Sequence, residues 1–221
     1  MDVIKEVSGK SILDSRKEKT ILISIKTNVG NFSASSPSGK STGKYEVKPY
    51  KKSIEQEIKT INQFKDYFSK EIIENFNDLR RIEDIVDKNI GANTLFALES
   101  SVLKALAKEQ EKQIWELIGE NANALKSTRK FPRLIGNCIG GGKHSKTTPI
   151  GVPLNSELGS KKPDFQEFLI IPKTKSVKEA FEINKKTKKE IEFTLKQKDK
   201  NFKGLKNDED AWMTSLNEKE I

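Results

Sequence analysis

Between Ile21 and Lys26 the chain alternates. Ile21, Ile23 and Ile25 fall on one side, and Leu22, Ser24 and Lys26 on the other. That period of two predicts a half-buried strand. Asn28-Val29-Gly30-Asn31 then reads as a turn into Phe32-Ser33-Ala34, giving a hairpin, with an earlier strand around Val3 to Ile12 as its third partner. From Ser53 the period becomes helical: Ile54, Ile58, Ile61 and Phe64 recur at spacings of four, three and three. A second helix is predicted over Leu79 to Val86. A third begins near Asn93, read as its N-cap, and presents Leu95, Leu98, Val102 and Leu106 as the most apolar stripe in the chain. A short fourth helical segment holds Ile114, Trp115 and Leu117. Residues 1–126 therefore read as an α+β domain, a three-stranded antiparallel meander followed by helices.

Polar and charged residues Lys126 to Lys130, with Pro132 after them, predict a linker over 127–133. Beyond it, 134–221 reads as a second domain. Leu134-Ile135 is predicted to be a strand, followed by a loop, GNCIGGGKHSKTTP. A second strand, Phe168 to Ile171, is stopped by Pro172. Ser176 then caps a long helix with Val177, Phe181, Asn184, Thr187, Ile191 and Leu195 on its inner face and lysines outside. The final GLKNDEDAWMTSLNEKEI starts as loop and is read as entering another helix.

Composition adds limits. The 41 lysines and arginines against 32 acidic residues give a net charge of +9. The excess is mostly lysine, spread thin and interleaved with glutamates. It is read as a solvated surface, with a nucleic-acid face as the second reading. The lone Cys138 excludes an internal disulfide and a zinc site made of cysteines. No apolar run approaches the length of a membrane span, and MDVIKEV lacks the core of a signal peptide, so a soluble cytoplasmic protein is expected.

Gly39-Lys40-Ser41-Thr42 imitates the end of a nucleotide-binding P-loop, but the position that needs the motif's first glycine is Ala34. The segment Tyr45-Glu46-Val47 that follows reads as extended, not as the helix such a loop must open. Two further clusters carry chemistry. One is Gly140-Gly141-Gly142-Lys143-His144, whose glycines permit close approach of backbone to a ligand. The other is acidic: Gln166-Glu167 at a strand entry, and Asp208-Glu209-Asp210 before Trp212. Singly, each is as well explained by a surface histidine, a cap or an ion pair.

In order and spacing they are more specific. LDSR (Leu13 to Arg16), PSGKSTGKYE, GANTLFALESSVLKALAKE, IGGGKHS, DFQEFLIIP and NDEDAWM resemble the enolase family from about residue 3 to 216. The resemblance implies an N-terminal α+β domain followed by an incomplete α/β barrel. It also implies dehydration of 2-phosphoglycerate to phosphoenolpyruvate with Mg2+. Ser38 to Gly43 would be a lid over the substrate, with Ser38 and Gly39 at the substrate and Ser41 joining a Mg2+ ion, an oxygen donor suited to a hard cation. His144 and Gln166 would line the substrate pocket. Glu209, helped by Glu167, would protonate the departing hydroxide, a task that requires a raised carboxyl pKa.

Several positions depart from the family pattern. Lys17-Glu18-Lys19 replace Gly-Asn-Pro, Lys40 replaces alanine, Gly140 replaces asparagine and Asp210 replaces glycine. An insertion of roughly Lys146 to Pro163 lengthens one loop. A barrel of eight strands takes about 250 residues, whereas the segment after the linker is far shorter. The base and the principal metal ligands of the family would lie outside this chain. The expectation is a split enolase, inactive alone and completed by a C-terminal half, with a possible dimer formed through the N-terminal domain and Arg16. A non-catalytic enolase-derived binding protein and a truncated fragment are the alternatives.

Overall fold

The computed structural model describes residues 2–39, 43–69, 71–86, 88–121, 131–142, 162–207 and 209–221 of the 221. It divides into two compact units, 1–128 and 129–221.

In the first unit, alternation becomes strand. β1 (Asp2–Leu13), β2 (Lys19–Thr27) and β3 (Asn31–Ser35) form an antiparallel meander. Ile21, Ile23 and Ile25 are buried on one face, and Lys26 is exposed. The predicted three strands are joined by a fourth: after the helices α1 (Ile54–Gln63) and α2 (Lys65–Phe68), the two-residue β4 (Ile72–Ile73) pairs antiparallel with β1, giving the order β3-β2-β1-β4. Two residues are too few for a period to be legible in sequence. The helices α3 (Leu79–Val86), α4 (Ala92–Glu109) and α5 (Ile114–Asn121) complete the unit. Leu98, Val102, Ala105 and Leu106 of α4 share one core with Ile4, Val7 and the β2 isoleucines. Each such side chain taken out of water contributes roughly 1.5–3 kcal/mol. Ser101 Oγ donates to the Ile23 carbonyl at 3.1 Å, tying α4 directly to β2.

Ser53, where the helical period begins, caps α1 in a reciprocal box with Gln56. The start of α4 is different. Asn93 is not its N-cap; Gly91 is, and it has no side chain with which to cap. The first N–H groups find acceptors elsewhere: Ala92 N and Asn93 N donate to the Lys48 and Pro49 carbonyls, each at 3.0 Å, and Gly91 N to Glu57 on α1, which is fully buried. Its carboxylate accepts from Gly91 N at 3.0 and 3.1 Å, from Lys51 N at 2.6 Å and from Thr94 Oγ1. Gly91 lies so close to the chain at Pro49 that an added Cβ would stand 2.3 Å from the Pro49 carbonyl oxygen. Glycine is required there by close approach.

In the second unit, β5 (Gly136–Gly140) is flanked by β6 (Glu167–Ile170), antiparallel, and β7 (Trp212–Met213), parallel, in the order β6-β5-β7. The predicted strand at Leu134-Ile135 is displaced: the strand lies in the GNCIG expected to be loop. Its inward residues Cys138 and Ile139 pack with Leu195 and Trp212, a burial that the intervening glycines obscure in sequence. The long helix α6 (Val177–Lys198) starts at Ser176, whose hydroxyl accepts from Glu179 N. Phe181, read as inward, is exposed. The expected terminal helix is absent: that stretch forms β7 and turns, because Trp212 docks into the core beside β5.

Asp199, buried just after α6, holds the chain beyond β7. It accepts from Thr214 Oγ1 at 2.7 Å, Ser215 N at 2.8 Å, Ser215 Oγ at 2.6 Å and Asn201 N at 2.9 Å. Burial pushes its carboxyl up, but the hydrogen bonds from Ser215, Thr214 and Asn201 outweigh this and leave it below the usual range. In the first unit the opposite holds. Burial of Glu99 on α4, with a hydrogen bond and repulsion from Glu83 on α3, raises its carboxyl from 4.5 to about 7.

Three outcomes follow. Glu57→Ala leaves the Gly91 and Lys51 amides and the Thr94 hydroxyl without an acceptor, and should cost about 3 kcal/mol by urea unfolding. For Asp199, the lowered value means stabilisation that is complete above the ordinary 3.8 and is lost as pH falls through the folded value. Trp212 fluorescence in a Trp115→Phe background should report acid unfolding of the second unit, shifted upward in pH by Asp199→Asn. For Glu99 the sign reverses: stability present below 4.5 declines as pH rises through about 7. Glu99→Gln should flatten that decline when unfolding of the first unit is followed by Trp115 emission across pH 5 to 8, a range set by the two carboxyl values.

Candidate functional site

The loop that resembles a lid leaves β3 at Ser36, whose carbonyl accepts from buried Thr20 Oγ1 at 2.8 Å. Its first residues are held by Arg16. That guanidinium donates to the Ser38 carbonyl at 2.9 Å and to the Gly39 carbonyl at 3.5 Å. It also lies 3.9 Å from Asp14 Oδ2 and 3.7 Å from Glu18 Oε2. Arg16 thus ties β1's exit to this loop, and Glu18, one of the departures from the family pattern, takes part. On the far side, Gly43 N donates to Glu46 Oε2 at 2.8 Å and Glu46 N to the Gly43 carbonyl at 3.2 Å. Tyr45 and Glu46 therefore lie in a turn, and Val47 belongs to no strand, so the segment is not the extended one expected. Ser41, with Lys40 and Thr42, lies outside the described residues.

In the second unit the glycine run and the Gln166-Glu167 pair are brought together. Glu167 faces Gly140 across the β5–β6 ladder. Gly141 N donates to the Gln166 carbonyl at 2.8 Å, and Gly142 N to the Pro163 carbonyl at 2.8 Å. The glycines serve this approach: a Cβ on Gly141 would stand 2.2 Å from the Phe165 carbonyl oxygen, and Gly142 has φ +53°. Gln166 is exposed and Glu167 half-buried. From the other side, Glu218 Oε1 accepts from Phe165 N at 3.2 Å and from Asp164 N. His144 lies outside the described residues, as does most of the insertion.

Glu209 enters elsewhere. Its Oε2 accepts from Asn137 Nδ2 at 3.2 Å. Asn137 pairs with Leu169 and Gly140 with Glu167, with a register shift between Asn137 and Ile139. Both acidic residues thus meet the same strand, Glu209 through a side-chain hydrogen bond and Glu167 through the backbone ladder. Asn137 was not singled out in the sequence, because an asparagine beside glycines reads as turn chemistry; only its place on a buried strand marks it. Among the described residues, no group of three or more His, Cys, Asp or Glu converges to hold a metal ion, and no helix is long and apolar enough to cross a membrane. A cavity of about 300 Å³ between Phe131–Leu134 and the start of α6 contains none of these residues.

Comparison with known proteins bears on the whole chain. Residues 4–118 match the family model described as "Enolase, N-terminal domain". The chain is 31% identical to the enolase of Methanothermobacter thermautotrophicus over 97% of its own length and 49% of that protein. It is 31% identical to the enolase of Methanosphaera stadtmanae over 99% of its length and 50% of that protein. For the enolase of Natronomonas pharaonis the identity is 30%, covering 100% of this chain and 52% of the other. The chain thus spans about half the length of the relatives it matches, and it belongs to the enolase family.

Proposed function

We propose that this chain provides the N-terminal part of an enolase, dehydrating 2-phosphoglycerate to phosphoenolpyruvate only when a C-terminal half completes the barrel. The observation that carries the reading is the three-stranded sheet. It bears Glu167 on β6, directly after Gln166, yet β6 has no strand on its outer side among the described residues, and Leu169 on it and Ile171 just after it are exposed. An unpaired edge flanked by apolar side chains favours addition of further strands. The matched relatives have as much sequence again to supply them.

In this reading a base on the missing half takes the proton α to the substrate carboxylate. Glu209, with Glu167, delivers a proton to the hydroxyl that leaves from the neighbouring carbon, so that water departs and the double bond forms. His144, Gln166, Ser38 and Gly39 bind the substrate. Mg2+ would stabilise the charge that develops on the substrate carboxylate, with Ser41 as this chain's contribution. The ion's principal ligands would come from the C-terminal half.

Co-expression with the C-terminal half of an archaeal enolase should give a soluble complex that forms phosphoenolpyruvate, followed by ultraviolet absorbance, and that stops on chelation of Mg2+. Glu209→Gln should lower kcat by about a hundredfold or more. Equal turnover by this chain alone, or full activity of the Gln variant, would overturn the proposal.

A further inference from the structure

Residue 210 bears on how Glu209 is held. The backbone of Asp210 is left-handed, φ +62°, a conformation that glycine adopts freely and aspartate tolerates better than most residues. The family pattern has glycine at this position, so the backbone shape is kept while a carboxylate is added. That carboxylate meets two ammonium groups: Lys188 on α6, which donates to Oδ2, and Lys206, 2.7 Å from Oδ1.

The turn is closed around them. Asn207 Oδ1 accepts from Glu209 N at 3.0 Å and from Ala211 N at 2.9 Å. Asn207 N donates to the Ala211 carbonyl at 2.9 Å. Lys206 bridges to Trp212 and lies over its indole ring at 4.6 Å, and Trp212 Nε1 donates to the Lys188 carbonyl at 3.0 Å. The segment that carries Glu209 is thus fixed internally by Asn207 and tied to Lys188 of α6 twice, at its carbonyl by the Trp212 indole and at its ammonium by the Asp210 carboxylate.

We propose that Asp210 is a positioning residue: by clasping Lys188 and Lys206 it holds residues 209–211 so that the Glu209 carboxylate meets Asn137. The role in catalysis rests on the enolase reading above; the placement of Glu209 does not. Exposed ion pairs add little to stability, and the clasp acts instead by restricting where one acid can point.

The test has two arms. In the full chain alone, the side-chain amide resonance of Asn137 should follow the titration of Glu209. Asp210→Asn, which tolerates the backbone but removes the charge, should abolish that coupling, as should the double variant Lys188→Met/Lys206→Met. In the complex with a C-terminal half, Asp210→Asn should lower kcat tenfold to about a hundredfold with KM changed less than about twofold. Introduced into Glu209→Gln, it should change kcat by less than about twofold, since its effect passes through Glu209. An Asn137 signal that titrates unchanged in both variants overturns the proposal, as does an equal further loss in the Glu209→Gln background. A native complex that makes no phosphoenolpyruvate removes the enolase reading, and the resonance arm still decides the clasp.

Discussion

Helix α4 carries the most apolar face of the first unit, and its first turn presents backbone N–H groups to an interior without water. A buried N–H left unpaired costs as much as several methylenes contribute, so the helix cannot begin there unless an acceptor is supplied. The Lys48 and Pro49 carbonyls accept from Ala92 N and Asn93 N, and Glu57, from a different helix, accepts from Gly91 N, the Lys51 amide and the Thr94 hydroxyl. These donors around one carboxylate fix α1, the segment at Lys51 and the start of α4 in a single arrangement. The sheet then closes under α4 through the isoleucines of β2 and the Ser101 bond.

The second unit repeats the device at a smaller scale. Asp199 gathers hydroxyl and amide donors from Asn201, Thr214 and Ser215. It thereby fixes the exit from α6 relative to the chain beyond β7. Among the described residues, its core cluster is four buried side chains with a few neighbours. One edge of its sheet and several large apolar side chains are left at the surface. A chain that spans half of its relatives and leaves such an edge open is consistent with completion by further strands, on which the proposed chemistry depends.

The loops show how departures from a family pattern are absorbed physically. Glu18 joins Asp14 around Arg16, and the guanidinium turns to the carbonyls of Ser38 and Gly39. Asp210 keeps the left-handed backbone that glycine takes easily and adds a charge that two lysines neutralise. In both places a polar residue that looks disruptive in a string of letters acts as a tie.

The sequence by itself determined the strands of the meander, the long helices and the capping at Ser53 and Ser176, because these follow from local periodicity and from side chains that bond to their own neighbours. It also carried the family, through motifs whose order survives substitution. Tertiary structure decided what depends on partners distant in the chain. It started α4 at Gly91 rather than Asn93, since the acceptors for its first N–H groups sit elsewhere in the chain. It made a strand of glycine-rich GNCIG and replaced an expected helix by β7, since burial against Trp212 outweighs local preference. It also set Glu209 against Asn137 and Glu167 opposite Gly140, because strand register, which no local pattern encodes, fixes which residues of neighbouring strands meet.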